Sequence, residues 1–266
     1  MSTNQIIMGH QDLANWAQFS NDHNPIHFDL AAAKKANLDT IVAHGKLALL
    51  SVKAGVNHQL SSENDQWYHF RATFRSPVKC DIPVTLNLQQ KRGGTRFNLL
   101  EVASQSSCIK GSINTADVHT IDQVITTGHL TSNEVQQRST LFLKLFPYCT
   151  ADWITLESML FSRLVERHLD DVLESSSSTK IIKLNPGSEA DDGINYVMQT
   201  SQETFFDPTL VSHSLARSWP DNAELTYQLG NPICYTSDGS DLCSVDIGLS
   251  INGELRMLTR YGFIII

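Results

Sequence analysis

Phe19-Ser20-Asn21-Asp22-His23-Asn24-Pro25-Ile26-His27-Phe28-Asp29, followed downstream by Ile41-Val42-Ala43-His44-Gly45, is the part of this chain that says most about its fold and chemistry. The core of the first stretch, Asp22-x-Asn24-Pro25-Ile26-His27, sets a carboxylate, a carboxamide and an imidazole close together in sequence. Pro25 has no amide hydrogen and disfavours helix at Asn24, so the segment is expected to be extended or turning. Such a bend can bring the three side chains to one point, which a regular helix or strand would not.

Both flanks read as helices. Leu13, Trp16 and Ala17 form a short helical pattern before the segment. Asp29 is an expected N-cap for Leu30 to Ala36. Gly45 to Val56 is apolar on nearly every side, as expected of a helix wrapped by protein. The period then changes to two. Tyr68, Phe70, Ala72 and Phe74 alternate with polar neighbours, as do Ile82, Val84, Leu86 and Leu88. Arg92-Gly93-Gly94-Thr95 reads as a hairpin turn into a strand around Phe97–Val102. One covered face on an antiparallel sheet accounts for this pattern.

The second half repeats the order. Residues 151–173 contain neither Gly nor Pro and predict one long helix with Ile154, Leu160, Phe161, Leu164 and Val165 inward. A polar loop at Ser175–Ser178 follows, then strand-like runs at Lys180–Leu184, Ile194–Thr200, Leu225–Leu229, Val245–Ile251 and Met257–Ile265. A helix-then-sheet unit met twice suggests duplication, with repeats at 1–130 and 131–266 and a join near 128–136.

Adding water across an activated double bond needs the groups that Asp22-x-Asn24-Pro25-Ile26-His27 supplies. A carboxylate and a neutral imidazole can hold one water; the carboxylate draws a proton as oxygen attacks, and the imidazole relays a proton to the neighbouring carbon. Asn24 can donate to the water or fix the carboxylate while staying uncharged. Charge gathering on a carbonyl oxygen needs preorganised donors, and the backbone amides at the Gly45 helix start are suited to that. Glycine there lets a ligand approach the backbone closely.

Asp22 to Asp29, Ala33-Lys34-Lys35-Ala36, Ile41 to Gly45 and the later Phe74-Arg75-Ser76-Pro77-Val78 resemble the MaoC-like family of R-specific enoyl-thioester hydratases and dehydratases. The resemblance is close over roughly residues 10–105 and loose in the second half, around Ser162-Arg163-Leu164-Val165. It implies an α+β double hotdog, each unit a long helix wrapped by a curved antiparallel sheet, paired within one chain as a pseudo-dimer. It also implies Asp22 and His27 as the catalytic pair, Asn24 in support and Gly45 as oxyanion donor. His44, Phe28 and Arg75 are expected at the substrate, and the second repeat is expected to be degenerate, one site serving each chain. The expected partner is an acyl thioester of CoA or an acyl carrier protein, with a homodimer of double hotdogs as a further expectation. The family usually has Gly where this chain has Asn21, and Gly-Asp where it has Cys80-Asp81 one residue later. Asn tolerates left-handed backbone, so the turn is expected to survive.

Other readings belong beside this one. The polar cluster can be a structural Asx-turn. Fold does not fix function, so an acyl-thioester hydrolase and a non-catalytic acyl-binding subunit are the alternatives. Such hydrolases generally draw a carboxylate from the central helix, and residues 46–56 have none. His23 and His27 have the spacing of a helical metal pair, but Pro25 lies between them and no third ligand is evident, so neither metal nor cofactor is expected. Arg71, Arg75, Lys46 and Lys53 read equally as contacts to the phosphates of a carrier or as solvated charges.

Composition narrows the class. Hydrophobic residues are 41% and charged residues 18% of the 266. Net charge is −8, with 11 Lys/Arg against 10 Asp/Glu in residues 1–130 and 9 against 18 in residues 131–266. No basic stripe suits a nucleic acid. No apolar run has the roughly 20 residues of a membrane span, and the opening has no secretory pattern. Five dispersed cysteines without a CxxC pair suit free thiols in a reducing compartment, so a cytoplasmic protein is expected.

Overall fold

The computed structural model describes residues 5–174, 197–212, 223–237 and 240–265. In chain order the elements are β1 (Gln5–Ile6), α1 (His10–Ser20), α2 (Leu30–Lys35), α3 (Gly45–Asn57), β2 (Tyr68–Phe74), β3 (Val84–Lys91), β4 (Gly94–Glu101), β5 (Ser107–Thr115) and β6 (Val124–Leu130). They continue as α4 (Ser132–Leu145), α5 (Asp152–Arg167), α6 (Leu169–Glu174), β7 (Val197–Phe206), β8 (Leu225–Gly230), β9 (Ile233–Ser237), β10 (Ser240–Ile251) and β11 (Glu254–Ile265). The strands form one antiparallel sheet in the order β1-β3-β4-β5-β2-β7-β11-β10-β8-β6, with β9 paired to β10 off this path.

That order reads the same from both ends. Outward from the central pair run β2-β5-β4-β3-β1 on one side and β7-β11-β10-β8-β6 on the other. The halves meet where β2 pairs with β7, from Tyr68 opposite Phe206 to Thr73 opposite Ser201. β6 therefore occupies the place that β1 has in the first half. It precedes residue 131, yet it pairs with β8 of the second half-sheet.

Alternation does what the sequence predicts on β2: Tyr68, Phe70 and Ala72 are buried while Arg71 faces out. Outward charges knit the seam. Arg71 Nε lies 3.1 Å from Glu203 on β7, whose ladder partner on β11 is Arg260, itself bidentate to Asp246 on β10. Arg71 is thus a surface ion-pair member rather than a free phosphate contact.

α3 and α5 lie together against the sheet in one core that spans both halves. Trp153 stacks on Phe206 at 4.3 Å and donates from Nε1 to Asn57 Oδ1 at 2.8 Å. Two lysines expected at the surface or at a ligand are instead buried between the helices. Lys46 Nζ and Lys53 Nζ of α3 each donate to one oxygen of Glu157 on α5. Lys46 also donates to Gln202 Oε1 at 2.8 Å, and Tyr261 donates its hydroxyl proton to Glu157 Oε1 at 2.5 Å. Burial alone would raise the Glu157 carboxyl, but the two lysines overcome it and bring it down to about 2. Burial, with Lys53 close by, holds the Lys46 amine well below the usual ammonium range.

Other expectations need correction. The helix predicted over 151–173 breaks at His168 (φ −134°), whose Nε2 lies 3.1 Å from Tyr227 Oη. β5, β6 and β9 were not evident from alternation; β5 contains Gly111, where a Cβ would sit 1.9 Å from the Arg71 carbonyl oxygen of the neighbouring strand. The expectation of five free thiols fails, because Cys234 and Cys243, cross-strand partners on β9 and β10, form a disulfide. Cys80, Cys108 and Cys149 are free and buried. The loop at 175–178 and the strand at 180–184 lie outside the described residues, and β7 is described only from Val197. Among the described residues no helix is long and apolar enough to cross a membrane.

Candidate active site

α1 ends at Asn21, which adopts left-handed backbone (φ 60°, ψ 18°) as its C-cap. Asparagine thus makes the turn the sequence requires of it. Ser20 Oγ holds the next amide, accepting from Asp22 N at 3.2 Å, and the Asp22 carboxylate accepts from the Asn24 amide at 3.3 Å. Pro25–His27 then form one 3-10 turn capped by Asn24 Oδ1, which accepts from Ile26 N at 3.3 Å.

Asn24 departs from its expected part. Its Nδ2 donates to the Val197 carbonyl of β7 at 3.2 Å, so both ends of its amide serve the turn and the contact with the second half. The side chain positions the segment and makes no bond to the Asp22 carboxylate.

A second loop meets the first. Ala43 N–H donates to the Val78 carbonyl at 2.7 Å and Val42 bridges Lys79, which pins residues 41–44 against the sheet. The Val42 carbonyl thereby reaches His27 Nδ1 at 2.8 Å. A carbonyl only accepts, so Nδ1 carries the proton and Nε2 of neutral His27 keeps its lone pair. Burial lowers the His27 pKa, against the raising effects of Asp22 and that carbonyl. His44 stacks on it with ring centres 3.7 Å apart, Nε2 donating to the Asp22 carbonyl oxygen at 3.0 Å. Burial, with His27 next to it, takes the His44 pKa well below 6.5. Both rings are neutral at pH 7.

His44 is also the N-cap of α3, and the first helical bond runs from Ala48 N–H to its carbonyl at 3.1 Å. The amides of Gly45, Lys46 and Leu47 precede that bond, at the positive end of the helix dipole. Asp22, Asn24, His27 and Gly45 line a single cavity of about 240 Å³. Its other walls are mostly apolar: Ile26, Val42, Ala48, Val78 and Ile109 from the first half, Phe161, Val165, Leu169, Met198 and Phe263 from the second. Arg75, exposed and without an ion-pair partner among the described residues, stands on the same wall.

Two expected substrate contacts lie elsewhere. His44 is behind His27, and Phe28, 41% exposed, lies edge-on to His44 at 5.7 Å; neither lines the cavity. The residues of the second-half wall become neighbours of the site through the β2–β7 seam, whereas Lys46 directly follows Gly45 in the chain. The His23/His27 pair is split by the turn, His23 being exposed and His27 buried. Instead Asp22, His27 and His44 each offer a ligand atom, all within 4.8 Å of one another, and His44 Nδ1 is buried without a partner. One carboxylate and two ring nitrogens suit a divalent transition metal, although they close only three positions.

The family model described as the MaoC-like domain matches residues 2–110. A solved structure from Chloroflexus aurantiacus, described as a MaoC domain protein dehydratase, matches with a TM-score of 0.54 at 6% identity, over 99% of this chain and 93% of that one. A Mycobacterium tuberculosis protein described as having a double hotdog fold matches with a TM-score of 0.52 at 8% identity, over 100% and 94%. At such identities the likeness is one of fold. No curated protein sequence matches this chain. Residues 2–110 thus match the MaoC-like domain, within a chain that has a double hotdog fold.

Proposed function

We propose that the chain catalyses the reversible hydration of a trans-2-enoyl thioester to the (R)-3-hydroxyacyl thioester, carried on CoA or an acyl carrier protein. The observation that carries this reading is the meeting of Asp22 and His27 with the helix-start residue Gly45 on one mostly apolar cavity. The His27 tautomer refines the roles expected from sequence. Nε2 is the acceptor, so it takes a proton from water as the oxygen attacks C3, while Asp22 orients the other water hydrogen. The enolate oxygen is stabilised by the Gly45 amide. The imidazolium proton then passes to C2, which completes the addition of one water. Asn24 holds the turn, and Arg75 is placed to meet carrier phosphate. A cytoplasmic location and the division into repeats near residue 130 belong to this proposal.

Hydrolysis is less well supported. The carboxylates of the central helices are Asp152, Glu157 and Glu166 on α5, and none of them lines the cavity; Lys46, Lys53 and Tyr261 occupy both oxygens of Glu157.

The test follows enoyl absorbance with the purified chain alone, and free thiol in parallel. Asp22→Asn and His27→Ala should each lower turnover by about 10²–10⁴-fold with the fold intact. Near-normal rates in both variants refute the site, an S product refutes the stereochemistry, and thiol release without hydration makes the chain a hydrolase. A metal at Asp22, His27 and His44 is the second reading. Activity lost to a chelator and restored by zinc would establish it.

A further inference from the structure

We infer that His10, Cys80 and Asp81 form a surface site for a divalent transition metal, zinc by preference, which fastens the start of α1 to the loop at 79–81. None of the three lines the cavity, so the site stands apart from the Asp22, His27 and His44 group and from any reading of the reaction. One imidazole, one thiol and one carboxylate each offer a ligand atom, all within 4.8 Å of one another. His10 Nε2 lies 3.9 Å from Asp81 Oδ2, and Cys80 Sγ lies 3.7 Å from the same oxygen. Around a tetrahedral zinc, bonds of about 2.0–2.3 Å separate N from O by about 3.3 Å and S from O by about 3.6 Å. The His10 and Asp81 side chains are 66% and 63% exposed, so small rotations in open solvent close the difference. Among the described residues this is the one group that joins a free thiol to a histidine and a carboxylate in this way.

The backbone holds these donors together. Asp81 N–H donates to the Met8 carbonyl at 2.9 Å, and Cys80 N–H donates to the Ile41 carbonyl at 3.0 Å. Asp81 takes left-handed backbone (φ 61°), which glycine adopts more readily, and its carboxylate lies against the Cys80 sulfur. Thiolate, imidazole and carboxylate are all donors that zinc accepts, and three protein ligands leave a fourth position for water. Coordination replaces the Cys80 S–H bond by an S–metal bond and releases that proton to solvent. The thiolate and the Asp81 carboxylate then neutralise the divalent ion. His10 opens α1, whose positive end would repel a cation. Asp12 in the first turn offsets it, accepting from Gly9 N–H at 2.9 Å. Val78 and Lys79, just before Cys80, make the contacts that pin Val42 and Ala43, and the Val42 carbonyl holds His27 Nδ1. The metal thereby braces the support of His27 from outside the cavity.

The experiment titrates the full chain with cobalt(II), without added reductant so that the Cys234–Cys243 disulfide stays closed. A thiolate-to-cobalt charge-transfer band should grow to saturation at one equivalent, and zinc should abolish it. Cys80→Ser should lose the band. His10→Gln and Asp81→Asn, both at exposed side chains, should weaken cobalt binding by at least about tenfold. His27→Ala should keep the band, because the active-site group contains no sulfur. In that His27→Ala background, zinc at about a hundred times its Kd should raise the melting temperature by roughly 5–10 °C. The absence of a thiolate band overturns the inference, as does a band that survives in Cys80→Ser. Cobalt binding by His10→Gln as tight as in the parent also overturns it, and that variant decides alone if Cys80→Ser does not fold. A melting temperature that zinc leaves unmoved overturns the fastening of α1.

Discussion

Replacing Glu157 by glutamine keeps the shape of the side chain and removes the one anion that, among the described residues, pairs with Lys46 and Lys53. The new amide has one acceptor oxygen, which can still serve Lys46 or Tyr261. Its NH₂ group then points at Lys53, a donor meeting a donor. Both lysines are 0–1% exposed, so water cannot replace the lost partner without opening the core. Breaking a buried ion pair from one side costs about 3–5 kcal/mol. For a chain of this length that corresponds to a melting temperature lower by roughly 6–10 °C. The pH dependence has a definite sign. A lysine whose folded pKa lies below its unfolded value binds its proton first in the unfolded state, so stability falls as pH falls beneath about 10.4. Without Glu157 that depression deepens, and the deficit of the variant should grow from pH 10 down to pH 7. Urea unfolding followed by circular dichroism at several pH values measures it. Changing all three residues to methionine should recover stability and exceed the parent by about 1–4 kcal/mol. A Glu157→Gln protein within about 0.5 kcal/mol of the parent at pH 7 would show that these charges are not desolvated, and the argument would fail.

Acid should act through the histidines before it reaches the carboxylates. His27 and His44 both have folded pKa values below 6.5, so the unfolded chain takes up protons first and stability drops as pH falls below about 6.5. His44→Gln should flatten that slope in urea titrations between pH 6.5 and 5, and an unchanged slope would place the titration elsewhere. Glu157 acts in a separate window, its contribution being lost only as pH falls from 4.5 toward 2. A Cβ on Gly45 would sit 2.8 Å from Phe74 Cε1, and Phe74 lines the cavity. Gly45→Ala should therefore lower kcat/KM for hydration as well as costing about 1–3 kcal/mol from overpacking. Gly55→Ala, 2.6 Å from Leu86 Cδ2, should cost stability alone, and equal kinetic damage in both would refute the role of the Gly45 amide.

The local parts of this molecule were readable because their causes are local. Pro25 and Asn21 dictate the turn after α1, Asp29 caps α2 as expected, accepting from Ala31 N at 2.7 Å, and the alternation on β2 tells which side chains face the core. What required the fold were contacts between residues distant in sequence. Lys46 and Lys53 read equally as carrier contacts or solvated charges until a partner 111 and 104 positions away is brought beside them. Asn24 looked like a ligand to water because its bond to Val197 spans 173 positions. The cluster of Asp22 with His27 and His44 likewise depends on a stacking that spacing does not reveal.

The two central helices carry opposite charge where they touch, lysines on α3 and a glutamate on α5. In an assembly of identical subunits, an isologous contact sets each patch against its own copy. Two first halves joined that way would enclose four lysines with no carboxylate from the central helices. Two second halves would enclose a pair of glutamates with no lysine from α5. Only unlike halves can neutralise one another, so the same side chains that tie α3 to α5 also discriminate against the pairing of like halves of neighbouring molecules during folding.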